Sequence, residues 1–178
     1  MTDTQKKPLW KNELVWLFLL TSGLFAILYS KFILGGYAYV FTDTGADTMQ
    51  INYAQYGLFS SLFRSGESGY VLQAGLGMDV SSYYPAYLIP YNLLILLAPQ
   101  RLLPWAVLAS AYLKMITISL VGYLFYRKLM QDGIGTMAAA LAWTFSGYVI
   151  LWGQHYGFCT CMALFTVFMY FLQCYLNG

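Results

Sequence analysis

Long apolar segments separated by polar stretches are the feature that most restricts how this chain can fold. Four segments are long enough to cross a bilayer as helices, because about 20 helical residues span its hydrocarbon core. They are residues 14–34, 104–126, 134–152 and 158–176. Charged residues make up 9% of the 178-residue chain, against about 25% in an average soluble domain. The sequence therefore predicts an all-α integral membrane protein with four transmembrane helices.

The few positive charges predict the orientation of these segments. Lysines and arginines near membrane spans favour the cytoplasmic side. The residues concerned are Lys6, Lys7, Lys11, Arg127 and Lys128. A single membrane domain follows, with residues 1–13 and 127–133 in the cytoplasm and both termini inside. Residues 35–103 then form a long external loop, and residues 153–157 form a short external turn.

Two further helices are predicted within the long external loop. Residues 47–63 form an amphipathic helix with one face made by Ile51, Gln55, Leu58 and Leu62. This helix is expected to lie on the bilayer, with Tyr53 and Tyr56 in the headgroup layer.

The apolar stretch 85–99 is shorter than a span and is interrupted by Pro90 and Asn92. We expect it to form an interfacial or re-entrant half-helix. If it crossed the membrane, Arg127 and Lys128 would lie outside the cell.

Two carboxylates, Asp43 and Asp47, follow the first span in FTDTGADTMQ. At a membrane surface they could act as a general base toward an acceptor hydroxyl, or bind a divalent cation that steadies a phosphate. Alternatively, Asp47 caps the following helix and Asp43 is solvated.

Lys114 lies deep in the segment 104–126. A lysine at the centre of a transmembrane helix costs about 3 kcal/mol, so a compensating partner is expected. The partner is expected to be either an anionic ligand group, such as a lipid phosphate or carboxylate, or an acidic residue from a segment outside this sequence, because none of the other proposed spans contains one.

Other polar residues allow both a functional and a structural interpretation. His155 could contact a phosphate or transfer a proton, or it could close the turn between two glycines. Arg64 could contact a phosphate, or it could be solvated or bound to lipid headgroups. Cys159, Cys161 and Cys174 have the spacing of packing residues and not of a zinc site. A net charge of +2 with scattered cations excludes a nucleic-acid interface.

Four stretches of the chain resemble, in order, the bacterial YfhO family of multispanning membrane proteins, which belong to the GT-C class of glycosyltransferases. They are DTGADTMQINY from Asp43, QAGLGMD from Gln73, YLIPYNLLILLAP from Tyr87 and FSGYVILWGQHY from Phe145. Lys114 stands between the last two. The resemblance covers most of residues 40–160.

The resemblance implies a polyprenyl-phosphate-linked sugar donor and a cell-envelope glycopolymer acceptor such as a teichoic acid. It also implies an inverting displacement at the external face of the bacterial cytoplasmic membrane. Asp47 or Asp43 would be the base, and Lys114, Arg64 or His155 would hold the leaving phosphate. Apart from a divalent cation at the aspartates, no cofactor is implied.

The family members are longer, so the resemblance makes this chain the N-terminal module of a larger enzyme, inactive by itself. Two other functions remain open from the sequence. One is a flippase or transporter for a lipid-linked sugar, because a half-helix and a buried lysine also describe a substrate path. The other is a non-catalytic membrane scaffold.

Overall fold

The computed structural model describes residues 12–41, 47–67, 69–72, 77–79, 89–130 and 132–177. About 82% of these residues are helical. The longer helices are α1 (Glu13–Leu28), α3 (Ala54–Ser65), α5 (Leu103–Leu129), α6 (Gly133–Thr144) and α8 (Tyr156–Leu176). The shorter ones are α2 (Ser30–Leu34), α4 (Leu93–Leu97) and α7 (Gly147–Leu151).

Several short elements join these helices. A π-helix at Thr48–Tyr53 leads into α3, and single turns of 3-10 helix occur at Pro90–Asn92, Gln100–Leu102 and Trp152–Gln154. Strands β1 (Tyr70–Val71) and β2 (Met78–Asp79) form an antiparallel pair.

Three helical segments within the described residues are long and apolar enough to cross a membrane. They are Gln100–Leu129, Gly133–Gln154 and Tyr156–Leu176. The predicted first span, 14–34, is instead divided at Tyr29 into α1, which has 16 residues, and α2. The fold is therefore that of an all-α membrane protein, while the number of four spans stays a prediction.

Helix α5 is the centre of the bundle and contacts α1, α4, α6 and α8. Its direction opposite to α1 follows from two hydrogen bonds, one between Thr21 and Ser119 and one from Tyr123 to Glu13. Since residue numbers rise along α1 as they fall along α5, the two helices are antiparallel.

Helix α8 runs in the same direction as α5. Lys114 contacts Tyr156 near the start of α8, and a Cβ at Gly122 would lie 3.8 Å from the methyl group of Thr166. The bundle thus has two ends. The loop end carries the described part of residues 35–102 and the turn Trp152–His155, and the cap end carries Glu13, Arg127, Lys128 and Asp132.

Some helix boundaries differ from those of the predicted spans. Helix α5 continues to Leu129, so Arg127 and Lys128 lie in its last turn, where a positive charge is favoured by the helix dipole. The place of residues 127–133 in the cytoplasm stays a prediction. The segment 134–152 is interrupted between α6 and α7, because Ser146 has an extended backbone.

The predicted turn 153–157 is also shorter than expected. Its first part is the 3-10 helix Trp152–Gln154, and α8 already begins at Tyr156. Both the turn and the start of α8 are rich in apolar and aromatic residues, so the sequence does not mark where the helix begins.

The helix predicted at residues 47–63 is confirmed, but the predicted place of Tyr56 in the headgroup layer is wrong. Ile51 is 48% exposed, whereas Tyr56, expected among lipid headgroups, is only 6% exposed. Helix α3 buries Tyr56 together with Phe59 and Leu62. Tyr56 consequently points into the protein.

The described part of the stretch 85–99 consists of Pro90–Asn92 and α4, which together rise about 14 Å. A bilayer core is about 30 Å thick, so this part is too short to cross it. Helix α4 packs against α3 and α5. Its predicted place at the membrane interface stays a prediction.

Candidate functional site

Lys114 is buried in the middle of α5. It is 2% exposed, and its Nζ donates a hydrogen bond of 3.1 Å to the main-chain carbonyl of Tyr156. It lies on the inward face of the helix, one turn from Ser110 and from Ile118, and both neighbours are also buried. The lysine is therefore held by the first residue of α8.

The Tyr156 carbonyl accepts more than one hydrogen bond. Besides Lys114 Nζ, the Oγ1 of Thr160 donates to it at 3.3 Å. A carbonyl oxygen has two lone pairs, so the buried ammonium finds an acceptor without breaking the start of α8. The neutral Tyr156 carbonyl therefore offsets part of the free-energy cost of burying the Lys114 ammonium.

Tyrosine rings cover Lys114 at the loop end. Tyr156 stacks on Tyr56 with ring centroids 5.4 Å apart, and it lies 5.8 Å from the ring of Tyr39. The Tyr156 hydroxyl donates to the Tyr39 carbonyl, and the Tyr56 hydroxyl donates to Asn92 Oδ1 at 3.4 Å. We call Tyr39, Tyr56 and Tyr156 the tyrosine cover.

Burial raises the pKa of Tyr39, and the neighbouring Tyr29 raises it further. The Tyr39 phenol therefore stays protonated at neutral pH. It can donate a hydrogen bond but cannot act as a base.

A small cavity lies beneath the tyrosine cover, and we call it the Lys114 cavity. Its volume is about 10 Å³, and its walls include Ser110, Lys114 and the three tyrosines. This volume corresponds to about one water molecule. Among the residues that the structure describes, the buried Ser110 Oγ has no hydrogen-bond partner. A phosphate group is too large for the cavity, so contact between Lys114 and a phosphate requires the cover to move.

The segment that carries Asp47 contacts the turn beside His155. Thr48 is fully buried, and its Oγ1 donates to the Gln154 carbonyl at 3.3 Å. The Asp47 carbonyl accepts from Asn52 Nδ2 at 3.2 Å. Three predicted site residues thus belong to segments that meet at residues 152–156, because Lys114 contacts Tyr156 from below.

The capping interpretation of Asp47 is wrong. Its backbone is already helical, with φ −58° and ψ −38°, and its side chain makes no capping hydrogen bond. A capping residue needs an extended backbone so that its side chain can turn back onto the helix. The catalytic assignment of Asp47 stays a prediction, and Asp43 lies outside the described residues.

His155 is half-buried between aromatic rings directly before α8. Its ring lies 5.7 Å from the rings of both Trp152 and Phe158, and its main-chain N donates to the Trp152 carbonyl at 3.0 Å. The histidine therefore closes the turn, as one of its two interpretations predicts. A role with phosphate stays a prediction.

Arg64 lies apart from these contacts, on the last turn of α3. It is exposed, and its Nε donates to the Ser60 carbonyl of the same helix at 3.3 Å. Ser60 in turn donates to the Ala98 carbonyl at 2.7 Å. This arginine is thus fixed near the end of α4, while Asp47 begins the other end of the same helical segment.

Within the ranges that the structure describes, no three His, Cys, Asp or Glu residues come together as metal ligands. Asp43 is not among those residues, so a divalent cation at Asp43 and Asp47 stays a prediction. Cys159 packs in the wall of the Lys114 cavity, whereas Cys161 is exposed and Cys174 half-buried.

Sequence reasoning missed Ser110, Tyr39 and Tyr156, and it placed Tyr56 in the headgroup layer instead of above Lys114. The chain contains 17 tyrosines, and those of the cover come from three separate segments, so no local spacing marks them. The signal available was indirect. A buried lysine needs acceptors and a shield from lipid, and tyrosine offers both a ring and a polar group.

Comparison of the chain with family models, curated proteins and solved structures gives no match. The class that the fold defines is an α-helical membrane protein with a buried lysine beneath a tyrosine-rich end.

Proposed function

We propose that this chain is the membrane module of a GT-C-type glycosyltransferase, as its resemblance to the YfhO family implies. The donor is a sugar on polyprenyl phosphate, the acceptor is an envelope glycopolymer such as a teichoic acid, and the reaction takes place at the outer face of the bacterial cytoplasmic membrane. One observation supports the proposal above others: the segments of Asp47, His155 and Lys114 meet at residues 152–156.

The proposed reaction is a single displacement. The Asp47 carboxylate, or that of Asp43, accepts the proton of the acceptor hydroxyl while its oxygen bonds to the anomeric carbon of the sugar. The bond from that carbon to the phosphate oxygen breaks, and its electron pair leaves with polyprenyl phosphate. Inversion at the anomeric carbon follows from attack opposite the leaving group.

Positive groups near the leaving oxygen lower the barrier, because negative charge grows there in the transition state. His155 lies at the turn and Arg64 on α3, while Lys114 lies below the tyrosine cover. On this proposal the cover moves aside when the donor binds, so that Lys114 exchanges the Tyr156 carbonyl for phosphate oxygen.

The test is sugar transfer by Asp47→Asn in cells that express the protein from its own locus. The amide keeps the size of the side chain but cannot accept the proton, so the transfer rate should fall about 100-fold or more. The envelope polymer is isolated from these cells and its sugar content is measured. The transfer rate is measured in membranes with a radiolabelled polyprenyl-phosphate sugar as the donor.

Asp79→Asn is the matched control, since Asp79 is an exposed aspartate on β2 at the same end. It should leave transfer unchanged. If Asp47→Asn and Asp43→Asn both retain the wild-type rate, neither carboxylate is the base and the catalytic proposal is wrong.

A flippase for the same lipid is the second candidate, favoured by the interruption between α6 and α7. Ser146 lies at this break, and its buried Oγ has no hydrogen-bond partner within the described part of the chain. Broken helices line substrate paths in many transporters. Proteoliposomes distinguish the two functions. Movement of the labelled carrier across the bilayer without sugar transfer would favour the flippase, and neither activity would favour a scaffold.

A further inference from the structure

A second and larger cavity lies on the surface of the loop end. It has a volume of about 430 Å³ and is lined by Lys31, Phe32, Tyr37, Ala38 and Val40. Sites for small organic ligands have volumes of about 300–1,000 Å³. We call this cavity the Lys31 groove, and it is large enough for a phosphate with several carbon atoms attached.

The Lys31 groove lies where an apolar helix ends. Helices α1 and α2 expose large apolar side chains, among them Ile27 at 71% and Leu34 at 86%. Such side chains are expected against lipid chains in a membrane protein. Lys31 lies on α2 between them and is itself exposed, so its ammonium can reach the headgroup layer.

The lining of the groove is complementary to an amphipathic anion. Lys31 is the cation, none of the described lining residues is acidic, and Phe32, Tyr37 and Val40 give apolar walls. Among the described residues, no hydrogen bond or ion pair occupies the Lys31 ammonium. The groove therefore offers a positive charge beside apolar surface, as a lipid phosphate requires.

Tyr39 separates the Lys31 groove from the Lys114 cavity. Ala38 and Val40 line the groove, whereas Tyr39 between them lines the cavity, so the side chains of this segment alternate between two sides. The Phe32 and Tyr39 rings also pack edge to face, with centroids 5.1 Å apart. The Tyr39 carbonyl accepts the hydrogen bond from Tyr156. Tyr39 thus forms the boundary between the two sites, because it lines the cavity and packs against Phe32 of the groove.

We propose that the Lys31 groove binds the phosphate and the first carbons of a phosphate-bearing membrane lipid, with Lys31 as the phosphate contact. The lipid chain lies along the exposed face of α1 and α2. If the proposed function holds, this lipid is the polyprenyl-phosphate donor, and Lys31 binds it next to the tyrosine cover. The binding itself does not depend on sugar transfer.

The test is binding of farnesyl phosphate to the purified protein in detergent, measured by microscale thermophoresis. Loss of a charge-assisted contact with phosphate should weaken binding about tenfold or more in Lys31→Gln. Lys31→Arg keeps the charge and should bind within about threefold of the wild type. Val40→Trp, which fills the groove and leaves the charge in place, should also weaken binding.

Lys128→Gln is the matched control, because Lys128 lies at the cap end, 5.8 Å from the centroid of the Tyr170 ring. It should bind as the wild type does. Thermal unfolding of each variant is compared with that of the wild type to test whether the fold is retained.

Two other ligands separate the contributions of phosphate and chain. Farnesol lacks the phosphate and inorganic phosphate lacks the chain, so each should bind at least about tenfold more weakly than farnesyl phosphate. Equal binding of farnesol, equal competition by inorganic phosphate or unchanged binding by Lys31→Gln would each overturn the proposal.

This outcome is independent of the Asp47 test. If Lys31 governs lipid binding but Asp47→Asn and Asp43→Asn both retain the wild-type rate of sugar transfer, the lipid-binding proposal is supported and the catalytic proposal is wrong. If Asp47→Asn abolishes sugar transfer while Lys31→Gln binds the lipid normally, the catalytic proposal is supported and the lipid-binding proposal is wrong.

Discussion

The two ends of the bundle differ in how their polar groups are satisfied. At the cap end, Asp132 accepts hydrogen bonds from the main-chain N of Ile134 at 3.2 Å and of Gly135 at 2.6 Å. Tyr123 donates to the Glu13 carboxylate. At the loop end, Lys114 is buried against a neutral carbonyl, and Ser110 Oγ has no hydrogen-bond partner in the described ranges.

This difference in hydrogen bonding indicates that the two ends of the bundle have different roles. Paired groups and a capped helix stabilise a fixed connection between α5 and α6. A buried ammonium and an unpaired hydroxyl cost stability, and proteins retain such groups mainly at functional sites. We infer that the cap end holds the bundle together and that the loop end carries the site.

Replacement of Lys114 should give the largest change in stability. Lys114→Met keeps most of the volume and removes the charge, which avoids about 3 kcal/mol and loses a hydrogen bond of about 1 kcal/mol. The free energy of unfolding in detergent should therefore rise by about 2 kcal/mol. Lys114→Ala is the control, since it also leaves a cavity and should be less stable than Lys114→Met. A decrease for Lys114→Met would mean that the lysine stabilises the fold and would remove the contrast between the ends.

A smaller effect of opposite sign is expected at the cap end. Asp132→Ala removes both capping hydrogen bonds of α6 and should lower the free energy of unfolding by about 1 kcal/mol. Asp132→Asn retains an acceptor and should be close to the wild type. Equal stability of the alanine variant and the wild type would show that the cap does not hold this end.

Two serines of α5 provide the finest comparison. Ser110→Ala removes a hydroxyl without a partner and should raise the free energy of unfolding by about 0.5 kcal/mol. Ser119→Ala removes a hydroxyl that bonds to Thr21 at 2.7 Å and should lower it by about 1 kcal/mol. Denaturant titration of both variants in the same detergent measures the difference. A loss at Ser110 would show that its hydroxyl is satisfied, for instance by water in the Lys114 cavity.

Helices were predictable where the sequence is apolar over a long stretch. Residues 104–126 and 158–176 correspond closely to α5 and α8, because a segment in lipid must satisfy its main-chain hydrogen bonds within itself. The interruption at Ser146 was not predictable, since the apolar pattern continues through it. The burial of Tyr56 was likewise missed, because it depends on contacts with Tyr156 and Asn92, which lie far away in the sequence.

The sequence by itself determined two properties of this protein. Its long apolar segments require a membrane, and a lysine inside one of these segments requires a partner. Only the tertiary structure decided what that partner is. Lys114 contacts Tyr156, 42 positions further along the chain, and the tyrosines above it come from three segments. The pattern of apolar and polar residues within one segment predicts helix formation and burial, because both depend on neighbours in the sequence. Contacts between distant residues depend on how helices pack, and the pattern of one helix does not contain that information.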